Sequence, residues 1–153
     1  MRSRLLTLLA TTVALLLVPV AGAAAATFTV TTTEDSGAGS LRQAITEANG
    51  TPGSTIDFNI LGTGPFTIAP ATVLPNLNAA GTTIDACSQP EADCSGLPLT
   101  LQVQLAGRGI SVHANGVTIK GLSITGVPAG GPTAAAILVG SLQGGGTPLS
   151  PKI

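Results

Sequence analysis

From Thr27 onward the chain is a succession of short runs in which apolar and polar residues alternate, each run broken by Gly, Pro or Asn-Gly. Ile56, Phe58 and Ile60 alternate with Asp57 and Asn59, and Leu99, Leu101, Val103 and Leu105 with Thr100, Gln102 and Gln104. The same spacing recurs in Phe66 and Ile68, Thr82 and Ile84, Ile110 and Val112, Val117 and Ile119, Leu122 and Ile124, and Ile137 and Val139. A two-residue period sends one set of side chains inward and the other outward, which is the pattern of a half-buried strand. The chain has no Trp or Tyr and 3 Phe, so any core must be built from many aliphatic side chains. Low charge, abundant Gly and Thr, and β-branched runs favour β structure over a helical bundle.

Such runs suit either the tight hairpins of a sandwich or the corners of a coil whose turns stack as parallel strands. Internal similarity favours the coil. Gly81-Thr-Thr-Ile-Asp-Ala86 resembles Gly116-Val-Thr-Ile-Lys-Gly121, and Gly121-Leu-Ser-Ile-Thr-Gly126 repeats the Gly-bounded unit. Repetition of this kind marks a stack in which each turn buries its face on its neighbours. The expected fold is therefore all-β, a parallel β-helix (β-solenoid) of about four to five turns over residues 27–140.

One helix is expected. Ser40 is placed as N-cap and Gln43 three residues on, an S-x-x-Q capping box, with Leu41, Ala44, Ile45 and Ala48 on one face and Asn49-Gly50 then Pro52 as the stop. So short a helix is not stable alone, and it is expected to cap the hydrophobic end of the first turn.

Residues 1–26 read as a secretory signal: Arg2 and Arg4, an uncharged run from Leu5 to Val20, then Ala24-Ala25-Ala26, with cleavage expected between Ala26 and Thr27. The alternative is a membrane anchor, against which Pro19 and the alanine tract argue. The expected location is outside the cell or on its surface, with membrane contact only during export. Removing residues 1–26 leaves four basic and seven acidic residues, a formal charge of −3, with no Lys/Arg cluster to displace counterions from nucleic acid. In an oxidising compartment Cys87 and Cys94 are expected to form a disulfide clipping a local excursion. A redox or metal-binding pair is the alternative, but with His113 as the only His, zinc would lack its four ligands.

The run Phe28-Thr-Val-Thr-Thr-Thr-Glu-Asp-Ser-Gly-Ala-Gly-Ser-Leu-Arg-Gln-Ala-Ile45, with Glu47-Ala-Asn49, Ile56-Asp-Phe-Asn-Ile60, Ile84-Asp85 and Gly121-Leu-Ser-Ile-Thr-Gly126, resembles the N-terminal part of secreted parallel β-helix proteins of the pectate-lyase-like superfamily. More narrowly it is similar to those opening with a CSLREA motif, although Gly39 stands in place of the motif's Cys and Gln43 in place of its Glu. The resemblance implies a right-handed coil and an extracellular or surface protein. It implies no catalytic residue set, and fold alone cannot supply one.

Candidate chemistry is sparse. Asp57 and Asp85 fall on outward faces of separate strands, with Arg108 and Lys120 as possible partners; hydrolysis of a glycosidic bond needs two such carboxylates to converge. Their bland reading is solvated surface charge. Glu91 and Asp93 lie in the cysteine loop, Glu34 and Asp35 in the turn before the helix, and His113 beside the Asn115-Gly116 turn. No cofactor or metal site and no catalytic residue is assigned. The leading expectation is a structural or adhesive module for polysaccharide or cell-surface components, with the N-terminal piece of a polysaccharide lyase or glycoside hydrolase as runner-up. Binding of ice by threonine rows such as Thr29, Thr31 and Thr33 is a third, since a flat β-solenoid can display regular hydroxyl arrays, although Thr is also simply favoured on exposed strands. Residues 141–153, rich in Gly and Pro, are expected to be a linker or a point of truncation that leaves the last turn open.

Overall fold

The computed structural model describes residues 24–128 and 136–139. The expected signal segment before residue 24 and the expected tail lie outside these residues. The described residues form nine short strands and one α-helix: β1 (Thr27–Val30), α1 (Leu41–Ala48), β2 (Thr55–Phe58), β3 (Phe66–Ile68), β4 (Thr83–Asp85), β5 (Val103–Ala106), β6 (Ile110–Val112), β7 (Thr118–Lys120), β8 (Leu122–Thr125) and β9 (Ile137–Val139), with a 3-10 turn at Ala86–Ser88. Among the described residues no helix is long and apolar enough to cross a membrane.

The strands form three parallel sheets, in the orders β1-β2-β4-β7, β3-β5-β8 and β6-β9. Register in the first sheet aligns Phe28 with Ile56, Ile56 with Ile84, and Ile84 with Ile119. In the second, Val103 and Leu105 stand beside Leu122 and Ile124; in the third, Ile110 and Val112 stand beside Ile137 and Val139. Among the described residues the hairpin sandwich is not found: every strand pairing there is parallel, and the one antiparallel bridge, Asp93 with Thr100, lies outside the strands.

The expectation of an all-β, right-handed β-helix is corrected. The described residues form a mixed α/β arrangement of one helix and three separate small sheets, and they do not close into a continuous solenoid. Strands of three or four residues carry too few ladder bonds to wrap the whole cross-section, and much of the chain between them is irregular. The irregular stretch before β5 includes Leu99, expected in a strand but 49% exposed; the strand begins only at Val103.

The core is aliphatic, as the composition requires. Val30, Leu41, Ile45, Ile56, Phe58, Ile84 and Leu105 are almost wholly removed from water and belong to one cluster. Helix α1 buries Leu41, Ala44, Ile45 and Ala48 against the first sheet. Ser40 Oγ accepts from the Gln43 N–H at 3.2 Å, satisfying a donor that the first helical turn leaves free. The reciprocal half of the capping box is not made, because Gln43 Nε2 donates to Glu47 Oε1 at 2.7 Å. Gly39 is required in this setting: its φ is +76°, its carbonyl accepts from Thr31 N, and a Cβ would collide with Thr31 Oγ1. A Cys at this position would have to displace the Thr31 hydroxyl and hold a left-handed backbone.

Candidate functional site

Parallel register turns alternation along a strand into rows across a sheet. In the first sheet the outward positions make two rows: Thr27, Thr55, Thr83 and Thr118 in one, Thr29, Asp57, Asp85 and Lys120 in the other. Neighbours in a row are about 4.8 Å apart at the backbone. Behind them stand Ile56 and Ile84, both fully buried, so the rows are fixed by a rigid apolar backing.

The register brings together three of the four candidate charges. Lys120 Nζ lies 2.8 Å from Asp85 Oδ2, and Asp57 occupies the next position on the other side of Asp85. Arg108 does not join them; its guanidinium donates to the Ala71 carbonyl at 3.1 Å. Burial pushes the Asp57 carboxyl above its ordinary range, the neighbouring Asp85 charge adds to this, and Lys120 partly offsets it.

Chemically, the paired carboxylates are unequal. Both oxygens of Asp85 are engaged, Oδ2 with Lys120 and Oδ1 as acceptor from the Cys87 N–H at 3.1 Å. That second bond starts the 3-10 turn leading into the disulfide between Cys87 and Cys94, whose Cα atoms are 5.9 Å apart. Asp85 is thereby a structural residue of the corner, its carboxylate oriented by one partner at each oxygen.

The other candidates fall elsewhere. Asp93 Oδ1 accepts from Ser95 Oγ at 2.6 Å and Ser95 N at 2.9 Å, bonds that hold its carboxyl below the usual range. Glu91, in the same loop, has a φ of +68°. His113 follows β6, and its backbone N–H donates to the Leu77 carbonyl at 2.8 Å. Thr29 is in the outward face of β1, whereas Thr31 and Thr33 lie beyond the strand's end, so the proposed threonine row along β1 is not formed. Ala26 supplies its carbonyl to the Thr55 N–H at 2.8 Å, and Thr27 opens β1. Among the described residues no group of three or more His, Cys, Asp or Glu is placed to hold a metal ion.

Three polar residues make tertiary hydrogen bonds that the sequence did not announce. Arg42 donates to Asp35 Oδ1 at 2.6 Å and to the carbonyls of Asp35, Thr72 and Val73 at 2.8–3.0 Å. This cation holds Asp35 below the usual carboxylate range. Gln89, 3% exposed, uses its amide as a strand would, accepting from Ile60 N at 2.8 Å and donating to Ile60 O at 2.9 Å. Asn49 does the same at Asn76 O and Asn78 N. Arg42 carried a signal in its place in the Ser-Leu-Arg-x-Ala-Ile run and Asn49 in the helix stop, whereas Gln89 carried none. No family model matches the chain, and no curated protein or solved structure matches it.

Proposed function

We propose that this chain is a secreted or cell-surface structural module that presents the outward face of its four-stranded sheet for adhesion to polysaccharide or other surface components. The observation that carries the reading is the in-register row Thr27, Thr55, Thr83 and Thr118 on a buried aliphatic backing. A fixed row of hydroxyls offers donors and acceptors at regular spacing without needing to be ordered on binding, which lowers the entropic cost of association. Export is supported by the charged and apolar opening of the chain and by the Cys87–Cys94 disulfide, a bond typical of oxidising compartments. Relatedness to the CSLREA-motif proteins belongs to the same proposal and rests on Ser40, Leu41, Arg42, Ala44 and Ile45.

The enzyme reading is the competitor because Asp57 and Asp85 are neighbours, but the commitments of both Asp85 oxygens weigh against it. The test is expression of the full chain with its own N-terminus, followed by sedimentation of the exported product with insoluble polysaccharides and assay of soluble sugars. Retention that is weakened by Thr55→Val with Thr83→Val, and no release of sugars, is the expected result. Sugar release abolished by Asp57→Asn would replace this reading with the enzymatic one.

A further inference from the structure

The outer faces of the two larger sheets are both polar, yet they differ in what their polar groups already hold. On the three-stranded sheet Gln104 ties its neighbours together, accepting from Thr67 Oγ1 at 3.3 Å and donating to Thr125 Oγ1 at 2.7 Å. On the four-stranded sheet the hydroxyls of Thr27, Thr55, Thr83 and Thr118 make no side-chain hydrogen bond among the described residues, and the half-buried Asp57 carboxylate accepts none there either. The threonine row spans about 14 Å over three strand-to-strand steps, long enough for several linked sugar rings.

Charge on this face is one-sided. Asp57 and Asp85 are neighbours in the adjacent row, and the one ammonium of that row, Lys120, is drawn to Asp85 at 2.8 Å. The other cations of the described residues are held away from the sheet, Arg42 by Asp35 and the Thr72 and Val73 carbonyls, Arg108 by the Ala71 carbonyl. With Lys152 included, the chain after residue 26 still has four basic residues against seven acidic ones. A uronate or sulfate on a ligand would therefore bring a third negative charge to the Asp57–Asp85 pair, with no further cation on that row to receive it. Calcium is a poor bridge to such a ligand, since it takes about six to eight oxygens and Asp57 is the one carboxylate of the pair without a hydrogen-bond partner.

Resting on the adhesion reading above, we infer that the outer face of the four-stranded sheet selects uncharged polysaccharide, with sugar hydroxyls donating to Asp57 and exchanging hydrogen bonds with the threonine row. Sugar hydroxyls both donate and accept, as the four threonine hydroxyls do, whereas Asp57 accepts and needs the donors that an uncharged ring supplies. The chain has no Trp or Tyr to serve as a stacking platform, so selection falls to hydrogen bonds and charge. A polycation would find one unpartnered carboxylate, four uncharged hydroxyls and the repulsion of Lys120 two strands away.

The test is sedimentation of the exported full-chain product with cellulose, curdlan and chitin as uncharged polymers, chitosan as a polycation, and pectate and alginate gels as polyanions, the last two with and without calcium. Retention by at least one uncharged polymer is expected, changing less than about twofold when sodium chloride is raised to about 0.5 M, where surface charges are well screened. Asp57→Ala should weaken that retention about tenfold through loss of charge-assisted hydrogen bonds. Asp93→Ala, in the disulfide loop, should leave it unchanged. Retention by pectate, alginate or chitosan, or an Asp57→Ala variant that keeps the parent circular dichroism and binds as well as the parent, would overturn the inference and leave the adhesion reading standing. No retention by any of the polymers would overturn both.

Discussion

The first and last strands of the parallel sheets are made of the same kinds of residue and differ in how far they are covered. At the first end the aliphatic face of β1 and β2 is roofed by α1, and the roof is tied down by Arg42 on the Asp35, Thr72 and Val73 carbonyls and by Asn49 on the backbone at Asn76 and Asn78. At the last end Ile119, Leu122 and Ile124 alternate just as regularly but remain partly exposed. Alternation decides which side chains face inward; burial depends on whether a further layer is present.

The largest effect is expected where that contrast is sharpest. Ile84→Ala, in the closed part, should cost about 2–5 kcal/mol of unfolding free energy, the range for truncating a fully buried aliphatic residue. Ile119→Ala, one strand further in the same row, should cost less than half as much; equal losses in denaturant titrations would mean that the last layer is covered after all. Reducing the Cys87–Cys94 disulfide should cost about 2–3 kcal/mol through the entropy of its short loop, read as a shift in midpoint at constant slope. Arg42→Gln should cost about 1.5–3 kcal/mol for hydrogen bonds from a charged donor to the Thr72 and Val73 carbonyls, and should raise hydrogen exchange in α1 before that in β7.

Alternation made the inward set largely legible: Ile56, Phe58, Ile60, Ile84, Val103 and Leu105 are all buried. The same rule failed at Leu99, because the alternation starts before the parallel ladder does: Leu99 lies between the disulfide and β5, where the adjacent Thr100 pairs with Asp93 in an isolated bridge. The overall class was misread for a related reason. Repeated Gly-bounded units disclose parallel stacking, but the lengths of ladder that form depend on partners distant in sequence, as with Phe66 and Val103. At the candidate site the outward positions of Asp57 and Asp85 were readable, whereas their adjacency to Lys120 depends on register across 28 and 35 residues of chain. Gln89 was invisible, since nothing local marks a glutamine whose amide will pair with a backbone segment some 29 residues away.

The smallest expected effect is one of pH, and it has opposite signs at two carboxylates. Asp57 has a raised folded pKa, so its charged form is disfavoured in the fold: stability associated with it is present at low pH and lost as pH rises through that folded value. Asp57→Asn should therefore be slightly stabilising at neutral pH, with the gain vanishing below the unfolded carboxylate pKa. Asp35, lowered by Arg42, contributes in the opposite sense, and its share is lost as pH falls through its folded value. Urea midpoints of Asp57→Asn and Asp35→Asn across the acidic range should diverge from the parent chain in these two directions; parallel curves would remove the electrostatic distinction between the sheet face and the helix end.

The most direct measurement is a nuclear Overhauser map of the folded protein. A parallel stack gives an unbroken series of contacts from Phe28 to Ile56 to Ile84 to Ile119 and a separate outward series from Thr27 to Thr55 to Thr83 to Thr118. Contacts that pair these strands in reversed order, or that place Thr55 and Ile84 on one face, would contradict the account.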